Sequence, residues 1–270
     1  MVAIPGGGRE AEAAVSDEIR SERHGDVEVL TLNRPQARNA LTFGSYAALE
    51  RAVRECDARC LVITGADPAF CSGDDVKQVM GGGEKPPEGL AEKPRLTPAA
   101  DALLHSDVPV IAAVNGAAVG WGMELALMAD LRVASERARF GELFVLRGLC
   151  CDVAGLARLA SLVGREKAAE LLFTGEVIGA EEAARIGLVS RVVPHPELLP
   201  EALALAERIA ANPPLAVREL KAGLRLALDP DFQELGRWVS RTLGRLFQTE
   251  DHKEGVRSFL EKRAPHYVGR

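Results

Sequence analysis

A chain of 270 residues can bury a large core, and its 33 Lys and Arg against 39 Asp and Glu leave a net charge of −6 with both signs interspersed. No basic face advertises nucleic acid, no apolar run reaches membrane-span length, and residues 1–20 lack the apolar centre of a secretory leader. The five cysteines (Cys56, Cys60, Cys71, Cys150, Cys151) form no C-x-x-C pair and read as reduced thiols, so a soluble cytoplasmic protein is expected.

Residues 1 to about 20, rich in Gly, Ala and Glu, predict a flexible N-terminal segment. Val27–Leu32 alternates as a strand, and Asn33-Arg34-Pro35 breaks it. Thr42 is a candidate N-cap for a helix running to Cys56, with Leu49, Val53 and Cys56 at helical spacing. Leu61 to Gly65 reads as a buried strand closed by glycine. A small-residue loop, Phe70-Cys71-Ser72-Gly73-Asp74-Asp75-Val76-Lys77, then feeds a short helix. The polar stretch from Gly81 to about Pro94 predicts a loop outside the core. Val110 opens another buried strand, Asn115-Gly116 punctuates it, and the turn Gly120-Trp121-Gly122 leads into a helix starting Met123-Glu124-Leu125. After Val193 the strand signals stop, and Pro194-His195-Pro196 and Asn212-Pro213-Pro214 punctuate an all-helical tail. The pattern predicts an α/β core over residues 21–197 and a helical region over 198–270.

The two glycine turns carry the chemistry. Glycine lets a backbone approach a ligand closely, and the free N–H groups at a helix start bear partial positive charge. Two such turns could each aim one N–H at the same oxyanion, with Glu124 beside them in the first helical turn. The plainer reading is an ordinary strand-to-helix turn with a solvated glutamate near the helix dipole.

Five segments in order, AFCSGDDVK, NGAAVGWGMELALMAD, ARFGE, GLCCDVAGLARLASLVG and FTGEVIGAEEAARIGLVSRVV, resemble the crotonase (enoyl-CoA hydratase/isomerase) superfamily. The resemblance runs from about Val27 to Arg263. It implies a spiral of ββα turns with a C-terminal helical tail that builds trimers, which pair into hexamers. It also implies an acyl-CoA thioester substrate, with coenzyme A entering as part of that substrate and no separate cofactor. The enolate oxygen would be held by the Asp74 and Trp121 N–H groups. Substrate and coenzyme A would be met by Arg34, Cys71, Ser72, Gly73, Lys77 and Gly120. As isolated charges, Arg34 and Lys77 read simply as solvated. The family ordinarily carries glycine or a small residue where Trp121 stands, so the indole is expected to narrow the acyl pocket.

Asp152 is the second locus. By itself it reads as an N-cap for the helical run through Leu156 and Leu159. By resemblance it occupies the place where several double-bond isomerases of the family carry a catalytic aspartate. The second glutamate of the two-glutamate hydratases falls, by the same count, on Phe144. Glu142 lies two positions short of that place and is expected to be secondary. Three readings stand: an enoyl-CoA isomerase using Glu124 and Asp152, a hydratase in which Asp152 replaces the absent glutamate, and a non-catalytic acyl-CoA-binding scaffold. Other constellations fail. Gly81-Gly82-Gly83 has no following G-K-S/T, no G-x-S-x-G elbow occurs, and the five histidines lack metal-ligand spacing.

Overall fold

Residues 13–80 and 94–270 are described by the computed structural model. Residues 1–12 of the predicted N-terminal segment, and residues 81–93 of the predicted loop, lie outside them. The rest of the N-terminal segment is sheet, contrary to expectation. Strand β1 (Ala13–Ser16) and strand β2 (Ile19–His24) form a hairpin that pairs with β3 (Val27–Leu32). The Ser16 hydroxyl accepts from the Glu18 and Ile19 amides and so closes the turn. Ile19 faces the core opposite Leu32, while polar and charged residues fill the rest of β2. That suits a strand near a sheet edge and hides it from a search for apolar runs.

Beyond β3 the chain repeats one move. A strand of the first sheet is followed, across a short corner, by a strand of a second sheet and then by helix. The strand pairs are β4 (Cys60–Gly65) with β5 (Ala69–Cys71), β6 (Val110–Val114) with β7 (Ala117–Val119), and β8 (Leu131–Ser135) with β9 (Arg139–Gly141). Two short strands, β10 (Ile178–Gly179) and β11 (Arg191–Val193), complete the sheets. The first sheet has the order β1-β2-β3-β4-β6-β8-β11 and is parallel from β3 onward; the second has the order β10-β9-β7-β5. This is the expected spiral of ββα turns.

Asn115 pins successive corners together. Its Oδ1 accepts from the Gly65 amide and its Nδ2 donates to Asp67 Oδ1 and the Ala69 carbonyl. Gly65 and Gly116 sit at these corners because a Cβ on Gly65 would strike the Ala69 and Phe70 carbonyl oxygens, and one on Gly116 the Pro68 carbonyl oxygen of the preceding turn.

Helix α1 (Phe43–Glu55) starts at Thr42 as expected, with a capping box in which Thr42 and Ser45 each accept the other's amide proton. With α2 (Pro98–His105), α3 (Trp121–Met128), α4 (Val153–Val163), α5 (Arg165–Thr174) and α6 (Ala180–Arg185), it walls the main core. Large side chains such as Phe70, Phe140, Leu30 and Ile63 are fully buried there, each worth about 1.5–3 kcal/mol of transfer free energy.

The tail does not begin as an appendage. Helix α7 (Leu198–Ala210) lies on the other face of the first sheet, packing Leu198, Ala202 and Ala206 against Val29, Val62 and Ile111. The core therefore runs past the expected boundary at residue 197. Helix α8 (Pro214–Leu228) stands outward, whereas α9 (Phe232–Leu246) and α10 (Glu250–Glu261) fold back. Gly236 on α9 presses against Leu96, and His252 Nδ1 on α10 meets the Arg147 carbonyl at 2.8 Å. Among the described residues, no helix is long and apolar enough to cross a membrane.

Candidate active site

The two glycine turns face each other. Gly73 and Gly120 both have positive φ, 88° and 55°, which frees the peptide after each to turn toward the same space. A Cβ at Gly73 would lie 3.3 Å from the Trp121 amide nitrogen and 2.9 Å from the Val119 carbonyl oxygen. A parallel bridge fixes the Gly73–Asp74 segment, with Leu41 donating to the Gly73 carbonyl and accepting from Asp75. Among the described residues, neither the Asp74 nor the Trp121 N–H donates to another protein group.

Glu124, in the first turn of α3, is fully buried. Its Oε2 accepts from the Ala154 and Gly155 amides at 3.0 Å each, at the N-terminus of α4, while Oε1 has no partner among the described residues. Asp152 is the α4 N-cap: Oδ1 accepts from the Val153 amide at 2.8 Å. Its other oxygen, Oδ2, accepts from Trp121 Nε1 at 3.3 Å. Capping and a place in the site thus coexist in one side chain.

The Trp121 indole is buried and meets the Tyr46 ring edge to face, with centroids 4.7 Å apart. The Tyr46 hydroxyl donates to Asp74 Oδ1 at 2.6 Å. A continuous path, Asp74–Tyr46–Trp121–Asp152, therefore links the two glycine turns to the start of α4. The sequence reading missed Tyr46, although Tyr46, Leu49 and Val53 share helical spacing on the inner face of α1.

Glu142, expected to be secondary, lies close to Glu124. Gly120 donates to the Gly141 carbonyl at 2.9 Å, so the residue after β9 is delivered beside the turn that opens α3. Glu142 is 1% exposed and, among the described residues, neither of its oxygens has a partner. A Cβ at Gly155 would lie 2.7 Å from Glu124 Oε1 and 3.1 Å from Glu142 Oε1. Phe144, two residues on, is packed into the apolar core.

Burial dominates the electrostatics. It pushes Glu124 well above the ordinary carboxylate range, reinforced by the Asp152 charge and opposed by the α4 amides. Glu142 is raised well above that range by burial and by the Glu124 and Asp152 charges. Asp152 is raised by burial, against the Val153 amide and the Trp121 indole. Asp74 is raised to about 6 by burial, against the Tyr46 hydrogen bond.

The remaining candidates divide. Arg34 is not free for a phosphate: its guanidinium is engaged by Asp75 at 3.0 Å, Glu18 at 3.2 Å and the Ala40 carbonyl at 2.6 Å. Lys77 is exposed on the turn Val76–Met80. Ser72 donates from its amide to the Arg38 carbonyl and from its hydroxyl to Ala37. Cys71 is buried, and burial pushes its thiol up to about 12, outside the range of a reactive thiolate.

The family model for enoyl-CoA hydratase/isomerase matches residues 22–270. A Dictyostelium discoideum protein named "Probable enoyl-CoA hydratase, mitochondrial" is 39% identical over 91% of this chain and 88% of its own length. The crotonyl-CoA hydratase of Syntrophomonas wolfei is 38% identical over 94% and 99%. Among solved structures, an enoyl-CoA hydratase/isomerase from Pseudoalteromonas atlantica superposes with a TM-score of 0.84 at 29% identity, covering 93% of this chain and 100% of that one. A carnitinyl-CoA hydratase from Mycobacterium avium superposes with a TM-score of 0.77 at 38% identity, covering 94% and 100%.

Proposed function

The chain belongs to the enoyl-CoA hydratase/isomerase family, an enzyme family, and from that premise we propose that it shifts the double bond of an enoyl-CoA thioester. One observation carries the choice. Phe144 is sealed in the core where a hydratase glutamate was expected, while Asp152 reaches the site from α4 and meets the Trp121 indole.

In this reading the thioester oxygen sits between the Asp74 and Trp121 N–H groups. Two such donors in a dry site contribute about 3 kcal/mol each to an enolate. Glu124 faces one carbon of the acyl chain and Asp152 another. One carboxylate removes a proton, the electron pair moves onto the thioester oxygen, and a proton returns to the other carbon. Burial, which lifts both groups toward neutrality, suits each to accept and to release a proton. Coenzyme A enters with the substrate and the reaction calls on no cofactor. Lys77, exposed on its turn, is the basic side chain we assign to its phosphates, and a cytoplasmic setting suits the free thiols.

Hydration is the second reading. The relatives' names favour it, and so does the pairing of Glu124 with Glu142, since two carboxyls facing one space can position a water. A panel of 2-enoyl, 3-enoyl and 2,5-dienoyl CoA thioesters resolved by mass decides between them. Isomerisation changes retention without changing mass, whereas addition of water by every substrate that reacts would overturn the first reading.

A further inference from the structure

In the isomerase reading, Glu142 is a buried carboxyl with nothing yet to do. Ordinary packing does not explain it. Leaving an ionised carboxylate without a donor in a dry site costs several kcal/mol, and a second carboxylate beside it adds repulsion. Glu142 and Glu124 nonetheless point an unpartnered oxygen each at the face of Gly155, where the missing side chain leaves room for both. The remaining Glu124 oxygen is different, because two α4 amides donate to it. The pair is therefore asymmetric: Glu124 is built to hold negative charge, and among the described residues Glu142 has no donor to hold any.

We infer that Glu142 is the proton-sharing partner of Glu124: the two carboxyls hold one proton between them, resident on Glu142 when Glu124 is the base. The inference rests on the reading of Glu124 as that base. The pair's monoanion then takes a proton from an acyl carbon as the C–H electron pair moves onto the thioester oxygen. Both carboxyls are briefly neutral, and one proton passes by way of the Asp152 carboxylate to the other carbon as the enolate collapses. Atoms and charge balance with no other reactant. Glu142 acts through Glu124 and is a positioning residue.

The titratable groups facing Glu142 are Glu124 from α3, Asp152 from the start of α4 and the Cys151 thiol beside Gly155. Both directions agree with the geometry, since burial and each other's charge raise both glutamates.

The deciding experiment is infrared difference spectroscopy of the full chain carrying carbon-13 carboxyl-labelled glutamate. At neutral pH the wild type should show the carbonyl stretch of a protonated, buried glutamate, and Glu142→Gln should lose it. In Glu124→Gln the band should remain but titrate at lower pH, because the neighbouring charge is gone. Absence of the band from the wild type overturns the proposal, and so does its persistence in Glu142→Gln. If Glu142→Gln does not fold, the wild-type band and its titration in Glu124→Gln decide alone.

Kinetics add a second readout. In Glu142→Gln, kcat should fall roughly tenfold with KM little changed, and the alkaline limb of the pH profile should disappear. A profile that superimposes on the wild type leaves Glu142 merely structural. The infrared result stands whether or not any thioester turns over, so failure of the proposed reaction and failure of the shared proton are separable.

Discussion

Asp152 carries two hydrogen bonds of different kinds, and a single substitution separates them. Asparagine caps helices well, so Asp152→Asn keeps the bond from the Val153 amide and costs little stability. It cannot move a proton. We expect kcat to fall by about 10² or more with the melting temperature nearly unchanged, and full activity on every thioester of the panel would remove Asp152 from the chemistry. Trp121 tunes the same group. Its indole N–H holds the Asp152 carboxyl down against the lift of burial. Trp121→Phe removes that donor, so the carboxylate form appears only at higher pH, and the acidic limb of kcat/KM should move the same way. A limb that stays in place would show that Asp152 does not set it. Asp74 gives a stability counterpart. Its folded value of about 6 lies above the ordinary 3.8, so the folded state binds more protons than the unfolded state across that window. Its contribution is complete below 3.8 and is lost as pH rises through about 6. Asp74→Asn still accepts from Tyr46 but cannot titrate. Its melting temperature should fall less than that of the wild type as pH rises across the window, and parallel curves would contradict the raised value.

At the scale of elements, legibility followed length and patterning. The six residues of β3 and the helix capped by Thr42 were readable because alternation, spacing and a capping signal each had room to show. The strands β5, β7 and β9 have three residues each, too few for a period of two to appear, and only the glycines between them marked the corners. Asp152 and Glu124 could be picked out as an acid beside a turn. Glu142 was underrated because counting along the chain cannot show that Gly120 and Gly141 are hydrogen-bonded neighbours. Arg34 was overrated because its partners Glu18 and Asp75 are distant in sequence. The close approach of α3 to β5 offers a test of how rigidly the elements hold the site. A Cβ on Gly122 would collide with the Cys71 carbonyl oxygen, which is backbone and cannot swing aside. Gly122→Ala should cost about 1–3 kcal/mol of stability, as overpacking does. By shifting the Trp121 amide it should also lower kcat/KM by about 10². Wild-type activity in a folded Gly122→Ala protein would mean the two turns tolerate a displacement that an oxyanion hole could not.

For the whole molecule the open question is what covers α8. The helix is docked through polar side chains. Lys221 Nζ reaches the Val108 carbonyl and Asp130, both at 2.7 Å, and one turn later Arg225 reaches the Ser106 carbonyl and Asp107. Its leucines face away: Leu220, Leu224 and Leu228 form a stripe at i, i+4 and i+8, all exposed. Trp238 on α9 is also exposed, whereas Leu243, Leu246 and Phe247 are packed against the core. An isolated chain would leave the stripe in water, and large contiguous apolar surface on soluble proteins marks an interface. Together with the trimers implied by the family resemblance, this leads us to expect a trimer, or a pair of trimers, built across α8. Sedimentation at micromolar concentration should find one of these species. Leu220→Glu combined with Leu224→Glu places two charges on the stripe without touching Lys221 or Arg225, and should shift the protein toward monomer. A wild type that sediments only as monomer would remove the assembly. A double variant that stays fully trimeric would place the contact on some other face.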